Sequence, residues 1–326
     1  MPSLTIKNPS GDYPIHIGED ALASLDAAGL DVFLLVDSHV PEVFIDAVST
    51  RIHPVVTLAM PGGETIKTLA TYQDVIDKML VNGLSKASLM VAVGGGTLLD
   101  LAGFVAATYQ RGIPFIAVPT TLLAMVDASI GGKTALNING HKNMIGAFHT
   151  PRSVHIVPSA LNSLPLRERR SGYAEIIKMA LLKDRALFNA LKNPLDMSDI
   201  IRRSIDIKRR VVERDYRDVH ERHVLNYGHT IGHALEALHP SVYTHGECVA
   251  FGMRQMARGK PFEKQLSALL AHHGLLVDIP YDKDTLYRLI RSDKKRRQTT
   301  LTLAIVDEIG TSRVETVPFD TIMTFL

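Results

Sequence analysis

The sequence predicts an α/β fold in which a Rossmann-like domain with a parallel sheet precedes an all-α domain. Through the first half of the chain, short apolar runs typical of buried parallel strands alternate with helical segments. This alternation ends near residue 164, and patterns with helical periodicity follow. We therefore predict an α/β domain over residues 1–155 and a helical domain over residues 156–326.

Six apolar runs in the first domain predict strands, and a turn-rich segment at residues 8–12 separates the first two. A helix is predicted from about residue 71 to residue 82. Asp37 follows the third run directly, at the carboxyl end of a buried strand, where an acid can hold a ribose hydroxyl. The predicted strands are residues 3–7, 13–17, 32–36, 55–60, 89–93 and 113–118.

Gly94, Gly95 and Gly96 lie between a predicted strand and a predicted helix. Glycines there allow backbone N–H groups to approach a phosphate, and the start of a helix favours negative charge. The run is not the G-x-G-x-x-G fingerprint, so a plain tight turn is an alternative, but its placement favours a dinucleotide pyrophosphate. Lys133 follows two further glycines in a predicted loop, where a lysine more often faces an anion than open water.

Composition excludes several classes of protein. The 326 residues are 46% hydrophobic and 21% charged, which is ordinary for a soluble globular chain. A single cysteine, Cys248, excludes an intrachain disulfide and fits a reducing compartment, so we expect a cytoplasmic location. The sequence shows neither a signal-peptide pattern nor 18 uninterrupted apolar residues, so no membrane span is expected. A net charge of +2 gives no reason to expect a nucleic-acid partner.

The second half reads as a series of helices. In the first of them, Glu175 and Lys178 are three residues apart and share a face, and the apolar residues around them predict that this helix is largely buried. A buried acid needs a cation, whereas the same pair on a surface would contribute little. The predicted helices are residues 167–183, 197–215, 223–238, 247–258, 264–273 and 285–292.

Three histidines suggest a metal site. His229 and His233 are four residues apart, which places both imidazoles on one face of a helix, and a turn could bring His245 beside them. Neutral imidazoles are good zinc ligands, although a packed or solvated pair is the alternative for an isolated His-x-x-x-His spacing. Thr230 follows His229, so the metalloprotease H-E-x-x-H pattern is absent.

Taken together, several sequence blocks resemble the 3-dehydroquinate synthase family, within the superfamily of sugar-phosphate cyclases and iron-type alcohol dehydrogenases. The blocks follow the family's order and spacing from Pro61 to Lys295, over most of the chain. They are Pro61-Gly-Gly-Glu64, Tyr109-Gln-Arg-Gly112, Pro119-Thr-Thr-Leu-Leu123, Gly131-Gly-Lys133, Lys142-Asn-Met-Ile-Gly146, Ala174-Glu-Ile-Ile-Lys178, Asn226-Tyr-Gly-His-Thr-Ile-Gly-His233 and His245-Gly-Glu247.

The resemblance implies an NAD- and divalent-metal-dependent phosphorus–oxygen lyase of the shikimate pathway, which leads to the aromatic amino acids. Its reaction converts 3-deoxy-D-arabino-heptulosonate 7-phosphate to 3-dehydroquinate and phosphate by transient oxidation, phosphate elimination, reduction and an intramolecular aldol step. The metal, zinc or cobalt, would bind Glu175, His229 and His245, which moves His233 to the substrate side. The first domain would then bind NAD, and the helical domain would bind the metal and the substrate.

Further residues are carried over from the resemblance as two sets. The implied NAD site comprises Asp37, Glu64, Lys67, Gly95, Gly96, Asp100, Thr120, Thr121, Asp127, Lys133, Lys142 and Ser163. The implied substrate pocket comprises Lys133, Lys178, Lys208, Arg222, Asn226, His233, Asn143, Arg111 and Lys294, the last sharing its place with Lys295.

The resemblance also implies a homodimer in which Arg111 reaches the partner's substrate phosphate. Two other enzyme classes are alternatives: a related sugar-phosphate cyclase, and a metal-dependent polyol dehydrogenase, whose ligands would be an Asp and three histidines. A non-catalytic NAD-binding protein is a third alternative. Retention of Lys208 and Asn226 favours the dehydroquinate synthase reaction. The chain departs from the family pattern at Leu99, Val157 and Ser163, where Gly, Asp and Thr are usual.

Overall fold

The computed structural model describes residues 3–293 and 299–326, and contacts divide the chain into two compact units, residues 1–165 and 166–326. The domain boundary predicted after residue 155 concerns the division of functions and stays a prediction. Across the described residues, no helix is both long enough and apolar enough to cross a membrane.

The first unit is built on a seven-stranded sheet with strand order β1-β2-β9-β6-β5-β3-β4. Only β1 runs antiparallel to its neighbour, and every other pair is parallel, which confirms the predicted parallel-sheet α/β class. The strands of this sheet are β1 (Ser3–Ile6), β2 (Tyr13–Ile17), β3 (Val32–Asp37), β4 (Val56–Met60), β5 (Leu89–Gly94), β6 (Phe115–Pro119) and β9 (Ser153–Ile156).

The central strands are apolar along their whole length because helices cover the sheet. Alternate residues Val32, Leu34 and Val36 of β3 share one core with β5, β6 and the buried face of α1, whose Val48 is fully buried. The helices of this unit are α1 (Glu42–Ile52), α2 (Leu69–Val81) and α3 (Gly96–Thr108).

The order in which successive strands are added to the sheet reverses at β3. The chain passes from β3 outward to β4 and then returns to place β5 on the other side of β3. Open α/β sheets bind their ligands beside such a reversal, at the carboxyl ends of the strands, which here are β3 and β5. Asp37 ends β3 and Gly94 ends β5, so both residues predicted from the strand pattern lie at this position.

A second, two-stranded sheet in this unit was not predicted. Strands β7 (Lys133–Ile138) and β8 (His141–Phe148) form an antiparallel hairpin. Lys133 is consequently the exposed first residue of a strand, not a loop residue. The pairing brings the backbones very close, since a Cβ on Gly146 would lie 2.4 Å from the Thr134 carbonyl oxygen, so only glycine fits there.

The second unit is helical, as predicted, and it also carries an antiparallel hairpin of β10 (Thr300–Glu308) and β11 (Thr311–Pro318) that the sequence analysis missed. Both strands contact the 3-10 segment Glu221–Asn226. The helices are α4 (Leu166–Lys183), α5 (Arg185–Ala190), α6 (Met197–Arg214), α7 (His229–Leu238), α8 (His245–Ala257), α9 (Glu263–His272) and α10 (Lys283–Asp293).

One helix prediction was wrong in its extent. Residues 223–238 were predicted as a single helix, but the chain forms the 3-10 segment Glu221–Asn226 and starts α7 only at His229. Gly228 precedes α7 with a φ of 78°, a left-handed conformation that glycine adopts without steric cost and that interrupts a right-handed helix. The break places His229 at the first position of α7.

Candidate active site

Three helices of the second unit bring a carboxylate and two imidazoles together. Glu175 lies in the buried middle of α4, while His229 and His245 are the first residues of α7 and α8. Glu175 Oε1 is 3.4 Å from His229 Nε2 and 3.5 Å from His245 Nε2. Sequence positions 54 and 70 residues apart from Glu175 therefore converge on a single carboxylate oxygen.

Both imidazoles are oriented through their other nitrogen. His229 Nδ1 is 3.2 Å from the carbonyl oxygen of Tyr227, and His245 Nδ1 is 3.2 Å from Glu236 Oε1. A carbonyl oxygen can only accept, so His229 carries a proton on Nδ1. In both histidines the Nε2 atom faces Glu175, and these ligand atoms form a group that could hold a metal ion.

His233 lies one turn further along α7 and is exposed. Its ring centroid is 5.1 Å from that of His229 and 5.9 Å from that of His245. It belongs to a second possible ligand group, with Glu236 and His245, whose candidate ligand atoms lie within 4.8 Å of one another. His245 is thus shared by both groups.

The cluster has strong internal electrostatics. Glu175 is completely buried and forms an ion pair with the equally buried Lys178. Burial alone would raise the pKa of Glu175, but Lys178 and then the two histidines outweigh burial and hold it well below its usual range. Burial, followed by the positive charge of Lys178, lowers the pKa of His229, so that imidazole is neutral. Burial would also lower the pKa of His245, but the neighbouring carboxylates of Glu175 and Glu236 raise it to about 10.

Glycines set the spacing of these helices. Gly246, next to His245, donates its N–H to Ser171 Oγ at 2.9 Å, and Ser171 lies one turn before Glu175 on α4. A Cβ on Gly246 would lie 2.4 Å from Ser171 Cα, and a Cβ on Gly252 would lie 2.1 Å from the Gly228 carbonyl oxygen. Helix α8 therefore packs against the backbone of α4 on one side and against the start of α7 on the other.

The second unit also holds most of the predicted substrate residues. Lys178, Lys208 and Arg222 are 2%, 5% and 4% exposed, respectively, whereas Asn226 is exposed at the end of its 3-10 segment. Buried cations are costly unless they meet an anion, so cations this deeply placed are suited to an anionic ligand or a protein carboxylate. Arg222 donates through Nη1 to the Tyr216 carbonyl oxygen at 2.9 Å, which fixes its guanidinium.

Asp215 organises the loop that carries Arg222. Its carboxylate accepts backbone N–H bonds from Val219 at 3.1 Å, His220 at 2.7 Å and Arg222 at 3.0 Å. Burial by itself would raise the pKa of Asp215, but these three donors outweigh it and lower the pKa. Because the ionised form of Asp215 accepts these hydrogen bonds best, the stability of the loop depends on pH.

We predict a specific pH dependence for the variant Asp215→Asn. Because the pKa of Asp215 is lower in the folded state, its contribution to stability is present above its unfolded pKa of about 3.9 and is lost as the pH falls through the folded value. Wild type should be more stable than Asp215→Asn at pH 7, and the difference should shrink below about pH 4. Urea unfolding from pH 3 to 7 measures this, and an unchanged difference at low pH would contradict it.

In the first unit, predicted cofactor residues meet at the carboxyl ends of β3, β5 and β6. Thr120 donates its N–H to the Gly94 carbonyl oxygen at 3.0 Å, and a Cβ on Gly95 would lie 3.1 Å from Thr121 Cγ2. Asp37 is equally confined, since a Cβ on Gly62 would lie 2.2 Å from Asp37 Oδ2. Gly95 is the N-cap of α3, so backbone N–H groups of Gly96 and the following turn open toward this edge.

A polar network beside α3 joins residues that the resemblance divides between cofactor and substrate. Lys67 is 3% exposed and donates to Asp100 Oδ2 at 2.8 Å and to the side-chain oxygen of Asn143. Asn137 accepts the Asn143 N–H at 2.9 Å and donates to Glu64 Oε1 at 2.7 Å. Lys67 is therefore held between two protein partners, and its predicted place in the NAD site stays a prediction.

The remaining predicted residues of the first unit are more exposed. Lys142 is exposed on β8, Asp127 is partly buried in the π-helical segment Ala124–Ala128, and Ser163 is exposed and donates to the Ala160 carbonyl oxygen at 3.3 Å. Arg111 is exposed in the wall of an open cleft of about 420 Å³. Lys294 and Lys295 lie outside the described residues.

Several residues of this site were not found from sequence. Asn137, Tyr227 and Glu236 contact predicted site residues through hydrogen bonds that depend on the fold. Glu236 alone offered a signal, because it lies three residues after His233 and thus on the histidine face of the predicted helix. The side chains of Ser171 and Asp215 accept hydrogen bonds from backbone N–H groups, and such bonds leave no recognisable pattern in the sequence.

Comparison with known proteins identifies the family. The family models described as 3-dehydroquinate synthase N-terminal and 3-dehydroquinate synthase C-terminal match residues 57–171 and 172–296, respectively. The chain belongs to the 3-dehydroquinate synthase family. A curated family member from Listeria monocytogenes serotype 4b (strain CLIP80459) is 37% identical over 341 residues, which cover 95% of this chain and 93% of that protein.

Solved structures show the same family fold. A 2-deoxy-scyllo-inosose synthase complexed with carbaglucose-6-phosphate, NAD+ and Co2+ is 27% identical, with a TM-score of 0.86 and 99% of each chain covered. The 2-epi-5-epi-valiolone synthase from Streptomyces hygroscopicus subsp. jinggangensis 5008, with NAD+ and Zn2+ bound, is 23% identical, with a TM-score of 0.87 over 98% of this chain and 97% of that chain. At that identity the second likeness shows the fold alone.

Proposed function

We propose that this family member is a 3-dehydroquinate synthase, which converts 3-deoxy-D-arabino-heptulosonate 7-phosphate to 3-dehydroquinate and phosphate. The observation that carries the proposal is the convergence of Glu175, His229 and His245 in the unit that also buries Lys178 and Arg222. Such a site offers a metal and cations to one anionic substrate. We further propose a cytoplasmic location, which agrees with a single cysteine in 326 residues.

The three residues fit a zinc or cobalt ion. Two ligand atoms at 2.0–2.1 Å from a tetrahedral zinc lie about 3.3 Å apart, and the two Nε2 atoms lie 3.4 and 3.5 Å from Glu175 Oε1. Among the described residues, no hydrogen-bond donor is well aligned with either carboxylate oxygen of Glu175, although Lys178 and the histidines contact it. Three protein ligands leave a coordination position for substrate hydroxyls.

The proposed NAD site lies at the carboxyl ends of strands β3 and β5. Asp37 ends β3 and α3 begins just after β5, so an acid that can hold a ribose hydroxyl and helix N–H groups that can hold a pyrophosphate lie at neighbouring strand ends. The similar 2-deoxy-scyllo-inosose synthase was solved with NAD+ and Co2+ bound. When bound, NAD supplies a reversible hydride acceptor and the metal supplies a Lewis acid.

The chain's own cations then hold the two ends of the substrate. The substrate carries a carboxylate and a phosphate, and we assign four cationic residues to them, Lys133, Lys178, Lys208 and Arg222. The polar side chains of Asn143, Asn226 and His233 complete the proposed pocket. Arg222 is suited to grip an anion at two points, because its guanidinium presents paired N–H groups in one plane. The Asp215 loop holds that plane in place through three backbone bonds.

One assay tests the proposed reaction. With the heptulosonate phosphate, NAD and zinc, the enzyme should release phosphate without accumulating NADH, because NAD is reduced and reoxidised within a turnover. Phosphate release and absorbance at 340 nm should be followed together, with a chelator-treated sample as control. NADH that accumulates in proportion to product would instead support the polyol dehydrogenase. Release of phosphate only from a sugar phosphate that lacks a carboxylate would support a related cyclase.

We also propose a homodimer in which Arg111 serves the partner's site. Arg111 and Gln110 both have positive φ, at 67° and 49°. Such conformations cost energy for residues other than glycine and recur at functional sites, where the surrounding structure maintains them. An arginine held in this way is suited to reach a substrate phosphate across a subunit boundary.

Subunit exchange tests this role. Mixing Arg111→Ala with His229→Ala should restore part of the activity, because one of the two sites in each heterodimer then has both its own His229 and an intact Arg111 from its partner. Activity of the mixture should be compared with that of each parent after exchange has been verified by mass spectrometry. If exchanged heterodimers stay as inactive as their parents, Arg111 acts within its own subunit or has no catalytic role.

A further inference from the structure

We infer that Glu236 is the positioning residue for His245, fixing which imidazole nitrogen is offered to the metal. This inference rests on the proposed metal role of His245 and deepens it. Glu236 lies on α7 and His245 begins α8, so the contact joins two helices across nine residues of chain. It is a carboxylate-to-imidazole contact outside the three proposed ligands.

The geometry separates the two nitrogens of His245. Nδ1 is 3.2 Å from Glu236 Oε1, and Nε2 is 3.5 Å from Glu175 Oε1. The side chain of Glu236 is only 11% exposed, and that of His245 is 26% exposed. Water therefore competes weakly for this hydrogen bond, and the ring cannot turn without breaking it.

Metal binding requires the neutral imidazole, so His245 must give up one proton, and the nitrogen that keeps its proton decides which nitrogen can bind the metal. A carboxylate at Nδ1 holds the proton there and leaves the Nε2 lone pair facing Glu175. A negative acceptor also makes the ligating nitrogen more basic. His229 is oriented in the same way by the Tyr227 carbonyl oxygen, which carries no full charge. The ligating nitrogens of the two histidines therefore differ in basicity.

His245 could instead serve a second cation together with His233 and Glu236, whose ligand atoms form the other candidate group. The hydrogen-bond geometry favours positioning. Glu236 and Glu175 address opposite nitrogens of one ring, and a ligand on each nitrogen would require the ring to lose both protons. Metal stoichiometry separates the two alternatives, since positioning requires one metal per chain and a second site requires two.

The experiment compares Glu236→Gln and Glu236→Ala with wild type. Chelator competition should show zinc affinity weakened about 10–100-fold in Glu236→Ala. Glu236→Gln keeps an acceptor oxygen without the charge, so its loss should be smaller. In zinc-loaded, 15N-histidine-labelled protein, the His245 Nδ1–H resonance should be retained in wild type and Glu236→Gln. It should broaden or vanish through solvent exchange in Glu236→Ala. A purely structural role would not produce this ordered series in the spectrum.

Glu213→Ala is the matched control, because Glu213 is a partly buried glutamate of α6 whose partner is Arg209 at 3.0 Å. It should keep the zinc affinity of wild type. Unchanged affinity and an unchanged His245 resonance in Glu236→Ala would overturn the inference while leaving the proposed function intact. Two zinc ions per wild-type chain, with one lost in both Glu236 variants, would overturn it in favour of a second cation site. Wild type that binds no zinc would reject the proposed metal site itself.

Discussion

Glu175→Gln is expected to lose the bound metal and to lower activity by about 10³-fold or more. The substitution keeps the shape of the side chain but removes the anionic ligand, and Lewis-acid stabilisation contributes several kcal/mol, with about 1.4 kcal/mol for each factor of ten. It also leaves Lys178, only 2% exposed, without its carboxylate partner. Breaking a buried ion pair on one side costs about 3–5 kcal/mol of stability.

Two measurements separate these effects. Elemental analysis gives the metal content, and urea unfolding in the presence of chelator gives the stability without any metal contribution. Glu213→Gln removes a carboxylate of the same type from its pair with Arg209 and should retain both metal and activity. Full metal content in Glu175→Gln would show that Glu175 is not a ligand, and unchanged stability would show that Lys178 has another anionic partner.

Gly252→Ala is expected to unfold more easily and to bind metal poorly, although Gly252 is not itself a proposed ligand. An alanine inside a helix is normally about 1 kcal/mol better than glycine, but this Cβ would lie 2.1 Å from the Gly228 carbonyl oxygen. Backbone atoms cannot turn aside as a side chain can. Overpacking of this kind typically costs about 1–3 kcal/mol, and the shift of α8 away from α7 would separate His245 from His229.

Gly83→Ala distinguishes overpacking from backbone strain. Gly83 has a φ of 69°, and a Cβ there would meet nothing within 4 Å. Its loss of stability should therefore be limited to conformational strain, about 1–2 kcal/mol, with wild-type metal affinity. Denaturant unfolding and chelator competition on both variants give the comparison. If Gly252→Ala bound metal as tightly as Gly83→Ala, the helix contact would not set the ligand geometry.

The α/β half of the fold was largely predictable because each buried strand is an uninterrupted apolar run. The runs at Val32–Asp37 and Leu89–Gly94 are apolar on both faces and end in an acid or a glycine, which local pattern alone reveals. The hairpin of β7 and β8 was missed for the opposite reason. Its second strand is mostly exposed, so no apolar run distinguishes it from a loop.

The clustering of Glu175, His229 and His245 could be expected from the resemblance, but its geometry could not. The resemblance supplied Glu175 and His245 by matching blocks, and the convergence of their side chains required three helices to be packed. Spacing alone favoured His229 with His233, because both lie on one face of α7, yet Glu175 Oε1 is approached by His229 and His245. The left-handed Gly228, which precedes α7, could have been suspected from the presence of a glycine in a helical pattern.

The contact of α8 with the backbones at Gly228 and Ser171 has a consequence for how the protein meets its environment. These contacts lie between main-chain atoms and need no ion to form, in contrast to zinc fingers, whose folding and metal binding are one event. We therefore expect the chain to fold without a bound metal ion. Its activity can then follow the concentration of free divalent ions around the enzyme. A shortage of metal would leave folded but inactive enzyme, and renewed metal supply would restore activity without new protein synthesis.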